Sequence, residues 1–272
     1  MKQVRFSSVA ITLTAALVLQ SCTLLRFAYS PTIQNVPAFK EKNESRINAV
    51  MSSPASGTET NFALQGAYAL TKHFAVLGSY NGTIKGRDEL SYTENGTTTT
   101  DIVEYKRNSA EFGAGIFYPV SPNEKVVIEA YAGYGFGNNK ITDKTNNTVT
   151  GFHNSKTNRY FIQPVLSIHP SPSFTFSTSF RYTNIGYSDI YTTYSVDDLA
   201  NYQLTELGTK RISFLEPSIV LSGGLPDAPW VRLQCQMNFS FYLGGPTINY
   251  RSNYFSFGFQ FDPVKAIRNN KN

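Results

Sequence analysis

The chain has 272 residues, with 24 Lys and Arg against 19 Asp and Glu and a formal net charge of +5. The basic excess is small and dispersed, which argues against a nucleic-acid-binding surface, and two cysteines exclude a disulfide framework. Phe (20) and Tyr (17) are abundant, and aromatic and β-branched residues favour strands.

In chain order, Lys2 and Arg5 come first, followed by an apolar run from Val9 to Leu19 broken only by two threonines. This has the layout of a secretory leader and falls short of the about 20 residues a membrane-spanning helix needs. Leu19-Gln20-Ser21-Cys22 resembles the bacterial lipobox. The resemblance divides the chain into a leader, 1–21, and a mature protein whose first residue, Cys22, carries acyl chains. Each buried CH₂ of such a chain contributes about 0.8 kcal/mol to anchoring. Thr23, Leu24, Leu25 and Arg26 follow with no acidic cluster, so the anchor is placed on the periplasmic side of the outer membrane. An ordinary secretory leader, or a Cys22–Cys235 disulfide, are the alternatives.

Residues 22–42, with Pro31, Pro37 and the charged Lys40-Glu41-Lys42, read as the lipidated N-terminus and an extended tether. The domain of 43–262 has a period of two. Val231, Leu233, Cys235, Met237, Phe239, Phe241 and Leu243 alternate with Arg232, Gln234, Gln236, Asn238, Ser240 and Tyr242. Phe255, Phe257, Phe259 and Phe261 alternate with Ser256, Gly258 and Gln260. One apolar and one polar face over about ten positions is the pattern of a membrane β-barrel strand.

Ten strands are predicted, near 43–52, 60–70, 74–84, 104–118, 125–137, 156–169, 174–186, 210–223, 230–243 and 251–262. Short connections alternate with longer polar ones at 85–103, 138–155 and 187–209. Such an alternation fits periplasmic turns and outer loops. The fold class is therefore all-β: a closed antiparallel transmembrane β-barrel of about ten strands, eight being possible. Residues 263–272 are read as a basic periplasmic tail. With its lipobox, its paired segments Phe62–Leu70 and Phe74–Tyr80 and its Phe-alternating last strand, the chain resembles the small OmpA-like and OmpW-like outer-membrane barrels. That resemblance implies a fold and a location and carries over no active-site residue.

If the apolar set faces lipid, Arg46, Glu111, Glu129, Arg159, Arg181, Glu216 and Arg232 point into the lumen. Buried charges there require partners, so Glu–Arg networks plugging the barrel are expected. In the loop of 187–209, Tyr187, Asp189, Tyr191, Tyr194, Asp197, Asp198 and Tyr202 are candidates for a ligand surface, with Ser195 and Asp198 spaced as a helix N-cap. His73, His153 and His169 lack metal-ligand spacing, and no cofactor or metal is expected. The reading is a non-enzymatic outer-membrane barrel lipoprotein with a structural or surface-binding role. Its partners would be outer-membrane lipid and the machineries that assemble barrels and sort lipoproteins. The alternatives are a narrow channel for small solutes, an outer-membrane enzyme using His153, and a lipid-anchored soluble lipocalin-like barrel.

Overall fold

The computed structural model describes residues 24–54, 58–225 and 228–269; Cys22, and with it the lipidation assignment, lies outside them. Twelve strands form one sheet: β1 (Ser45–Pro54), β2 (Thr60–Ala69), β3 (Phe74–Lys85), β4 (Arg87–Glu94), β5 (Thr97–Pro119), β6 (Val126–Thr145), β7 (Thr148–Ser171), β8 (Phe174–Thr192), β9 (Ile212–Leu225), β10 (Ala228–Phe239), β11 (Phe241–Gly244) and β12 (Asn253–Phe261). Each neighbour pairs antiparallel, and β12 pairs with both β1 and β10, which closes the sheet on itself. Two staves are each made of two strands. β3 continues into β4 past Gly86, where a Cβ would sit 2.6 Å from the Tyr105 carbonyl oxygen. β10 continues into β11 past Ser240. The result is a closed antiparallel barrel of ten staves, and beyond the closed wall β4 pairs on one side only, with β5, and β11 with β9.

Alternation sets the two faces. Ile47, Met51, Leu64, Phe112, Ile116, Phe136, Ile162, Leu233, Phe257 and Phe259 are exposed on the outside, while Gln234, Gln236, Asn238 and Gln260 are buried within. A lipocalin-like soluble barrel requires the opposite arrangement, so that alternative is ruled out. Exposed Tyr68, Phe74, Tyr118, Phe174 and Phe261 mark the short-turn end, and exposed Phe136, Tyr160, Tyr182, Phe241 and Phe255 the long-loop end of the apolar band.

The segments read as long loops are for the most part strand. β5, β6 and β7 run 23, 20 and 24 residues, so 87–94 and 97–103, 138–145 and 148–155 are paired backbone rather than loop. Most of their outward residues, such as Lys140 and Lys156, are polar, so the stretches lack the sustained apolar alternation that marks a membrane strand. Tight turns close these extensions. Asn95 and Gly96 both have positive φ (50° and 79°), as do Asn146 and Asn147 (49° and 66°), the conformation a two-residue type I′ hairpin requires. The loop that remains, 193–211, carries α1 (Val196–Asn201), capped by a reciprocal pair of bonds between Ser195 and Asp198.

The tail also differs from expectation, because residues 263–269 form a helix, α2 (Pro263–Asn269). Asp262 starts it, accepting from the Lys265 N–H at 3.1 Å and from the Ser45 hydroxyl at 3.0 Å. A residue that latches to β1 while capping a helix gives the tail a fixed path.

Candidate functional site

The lumen is filled by the chain's own N-terminal segment. Residues 28, 29 and 31–39 are buried, and they run through the barrel from the long-loop mouth to the short-turn end. The stretch read as an extended tether thus runs inside the barrel as a strap. Its composition explains why. Between Arg26 and Lys40 the sequence Phe-Ala-Tyr-Ser-Pro-Thr-Ile-Gln-Asn-Val-Pro-Ala-Phe has no charge. It can leave water provided that its backbone and amides find partners, and the inward side chains supply them.

The interior is layered along the strap. At the mouth, Ala28 and Tyr29 pack with Val103, Tyr105, Ile141, Ile185, Tyr187 and Phe214, and the Tyr29 ring stacks on Phe214 with centroids 4.3 Å apart. At the other end Val36 and Phe39 pack with Phe117, Val127, Phe161, Val165 and Val220. Between these apolar layers lies a charged one. Glu111 pairs with Arg159 (3.2 Å) and Arg181 (3.3 Å), and Arg181 pairs in turn with Glu216 (2.8 Å). All four come from inward positions of β5, β7, β8 and β9.

The strap completes this layer. The Thr32 hydroxyl donates to Glu111 Oε1 (2.7 Å), the Thr32 carbonyl accepts from Arg181 Nη2 (3.1 Å), and the Tyr29 hydroxyl donates to Glu216. Glu216 also accepts from the hydroxyls of Thr183 (2.7 Å) and Ser240 (3.2 Å). Arg181 is 1% exposed and Glu216 0%, so these charges have exchanged water almost wholly for protein partners. Removing one partner then costs far more than the pair contributes in sum.

Strap amides are read one by one. Gln34 donates to the Glu216 carbonyl (2.7 Å) and Asn35 to the Gly66 carbonyl (3.0 Å). Gln65 donates to the Ile33 carbonyl (3.0 Å) and Gln163 to that of Asn35 (2.8 Å). Glycine makes room for these groups: a Cβ on Gly135 would stand 2.8 Å from Glu111 Cγ and 3.1 Å from Arg159 Cγ.

The remaining sequence-predicted lumen residues are inward but differ in partner. Glu129 does not join an arginine network. Its two carboxylate oxygens accept the backbone N–H groups of Ala38 (3.1 Å) and Phe39 (3.0 Å), and the Tyr131 hydroxyl donates as well (3.0 Å). It is the lower clasp of the strap. Arg46 pairs with Asp262 and, at 3.3 Å, with Glu44 at the short-turn end. Arg232 donates to Thr175 Oγ1 (2.8 Å) and the Pro172 carbonyl (2.7 Å).

A second network escaped sequence reasoning. Glu59 pairs with Arg107 (2.7 Å) and Arg251 (3.6 Å), and Arg251 with Asp88 (2.6 Å). Glu59 and Asp88 lie in segments that read as connections, so their inward direction carried no periodic signal.

The loop candidates divide. Tyr187 is buried and donates to the Ala28 carbonyl (3.1 Å), so it holds the strap and is no surface residue. Tyr202 lies under the Arg26 guanidinium, 4.0 Å from ring centroid to charge, and meets Tyr194 edge-on. Asp189 pairs with Lys156 at 2.7 Å, Tyr191 packs on Phe152, and Asp197 is exposed. Asp198 is held below the usual carboxylate range by the Ser195 hydroxyl and backbone N–H.

His153 is buried against Tyr194, and neither ring nitrogen has a hydrogen-bond partner among the described residues. The serine or acid that a His153 dyad needs is therefore not in place there. Among the described residues no cluster of three or more His, Cys, Asp or Glu could hold a metal ion.

No protein-family profile and no curated relative matches the chain. Solved structures with a similar barrel include the translocator domain of the autotransporter NalP from Neisseria meningitidis (TM-score 0.42, 11% identity, covering 81% of this chain and 88% of that one). Others are the KdgM porin in complex with oligogalacturonate (0.37, 9%, 79% and 98%) and the attachment invasion locus protein Ail of Yersinia pestis (0.31, 13%, 81% and 99%).

Proposed function

We propose that this chain is a non-enzymatic outer-membrane barrel lipoprotein that presents its long-loop face to the exterior and carries a closed lumen. The outward apolar band supports the membrane setting. Nine residues of β12, Asn253–Phe261, match the about 9–11 that a tilted strand needs to cross, and their outward members are Phe255, Phe257, Phe259 and Phe261. In water such a band would be a large exposed apolar surface of the kind soluble monomers avoid.

The strap carries the functional conclusion. Three spaces beside it and at the short-turn end of the lumen measure about 50, 10 and 10 Å³. A single water needs about 10–15 Å³ on this measure, so the largest space takes a few waters and no solute. The surface presented outside consists of the paired extensions of β4 to β8 with α1, where Asp189, Tyr191 and Asp197 are accessible. Planar-bilayer recording tests the reading. The purified wild-type protein should give no stable conductance steps, whereas reproducible steps would overturn the closed lumen and favour a small-solute channel.

A further inference from the structure

The strap's direction has a consequence for the anchor. At its C-terminal end the Lys40 N–H donates to Glu44 (2.6 Å), and Ser45 begins β1 at the short-turn end, opposite Tyr68. Its other end lies across the barrel. Arg26 Nη2 pairs with Asp143 at 2.8 Å, the Tyr105 hydroxyl donates to the Leu25 carbonyl at 2.6 Å, and the Ala28 N–H donates to the Asn249 carbonyl at 2.9 Å. Leu24, Leu25 and Arg26 share an open vestibule of about 900 Å³ with Leu90, Tyr92, Asp101 and Tyr202. All of these partners belong to the long-loop end. Asp143 lies seven positions beyond Phe136, the last outward aromatic residue of β6, on the polar extension.

Cys22 precedes Leu24 by two residues, a reach of at most about 7 Å. The described strap begins, at Leu24, at the long-loop mouth and away from the short-turn end. We propose that the lipid-bearing Cys22 emerges on the outer face, so that this lipoprotein carries its anchor through its own barrel instead of holding it in the periplasmic leaflet. The inference rests on the outer-membrane lipoprotein reading above. It adds a modification site at a defined face, and the ligand it presents there is an acylated N-terminus.

Packing sets an order of assembly. No acyl chain passes through spaces that hold a few waters, so the strap must be laid in before β12 closes onto β1. Once in place it is latched at both ends, by Arg26 and Asp143 above and by Glu129 below. Burial alone would lower the Arg26 guanidinium pKa, but the paired Asp143 carboxylate raises it, so the upper latch stays charged.

A membrane-impermeant maleimide on intact cells tests the topology, in a Cys235→Ser background. Leu25→Cys should react to the same extent as Thr97→Cys at the tip of the β4–β5 hairpin. Lys72→Cys, in the β2–β3 turn, should react only after permeabilisation. Leu24→Cys is the second probe if Leu25→Cys lacks the heat-modifiable mobility of a folded barrel. In parallel, labelled palmitate should enter the wild type and not Cys22→Ser. Reaction at residue 25 that requires permeabilisation, with palmitate incorporated, overturns the threaded anchor alone. Absence of palmitate from the wild type overturns the lipoprotein reading itself, whatever the maleimide pattern.

Discussion

The outer wall and the lumen are built by alternate residues of the same strands, yet they obey different physics. Along β10, Leu233 and Met237 face out and touch mostly one another's kind, while Gln234, Gln236 and Asn238 face in and form a chain of hydrogen bonds. An apolar solvent asks only for an apolar side chain, so the wall is specified by class. The interior asks for particular donors and acceptors at particular heights, so it is specified by residue. Unpartnered polar groups are costly there, and the strap supplies partners that the wall alone would lack. The wall is therefore expected to tolerate exchange, and the lumen to tolerate little.

The largest effect should come from emptying the lumen. Replacing residues 28–39 with Gly-Ser repeats of equal length removes Tyr29, Thr32, Gln34, Asn35 and Phe39 together. It leaves Glu111, Arg159, Arg181 and Glu216 facing water. Conductance steps absent from the wild type should appear in planar bilayers, and the midpoint of heat-induced mobility change should fall by more than in any single variant described below. A closed, equally stable barrel would show that the strap only lines a lumen already blocked by the wall.

Glu216→Ala comes next. It leaves Arg181, the most buried cation of the layer, to share Glu111 with Arg159, and should destabilise by roughly 3–5 kcal/mol, read from denaturant midpoints in detergent. A loss under about 1 kcal/mol would mean that water reaches the layer. On the wall, Phe257→Arg should cost about 2–4 kcal/mol if the site lies near the bilayer midplane, whereas Phe257→Leu should cost less than about 1.5 kcal/mol. Equal losses for the two would contradict the contrast between class and residue specification.

The smallest effect concerns the outer loop. Ser195→Ala should raise amide exchange over 196–201 and leave global melting unchanged. The protection factors of the same amides, taken against the intrinsic exchange rate at each pH, should fall on acidification. Asp198 has a lowered pKa in the fold, so its share of the cap is fully present above its unfolded value and is lost as pH falls through the folded one. Asp198→Asn should remove that pH dependence, and a profile that persists in the variant would assign it elsewhere.

The sequence by itself determined the ten staves, their faces and their short turns, because a period of two is a local property. Phe255, Phe257 and Phe259 announce an apolar face without reference to any other strand. The paired extensions closed by the positive-φ turns at Asn95-Gly96 and Asn146-Asn147 were not among these features, because polarity alone reads there as loop. Tertiary structure decided the rest. Inward charges can be placed on a face from sequence, but whether Glu129 meets an arginine or two backbone N–H groups depends on a segment some ninety residues earlier in the chain. The strap had one local sign, thirteen uncharged residues between Arg26 and Lys40, and that sign fits an extended linker equally well. Its path is set by the sum of partners offered at successive heights by β2, β5, β6, β7, β8 and β9, and such a sum exists only once the barrel has closed around it.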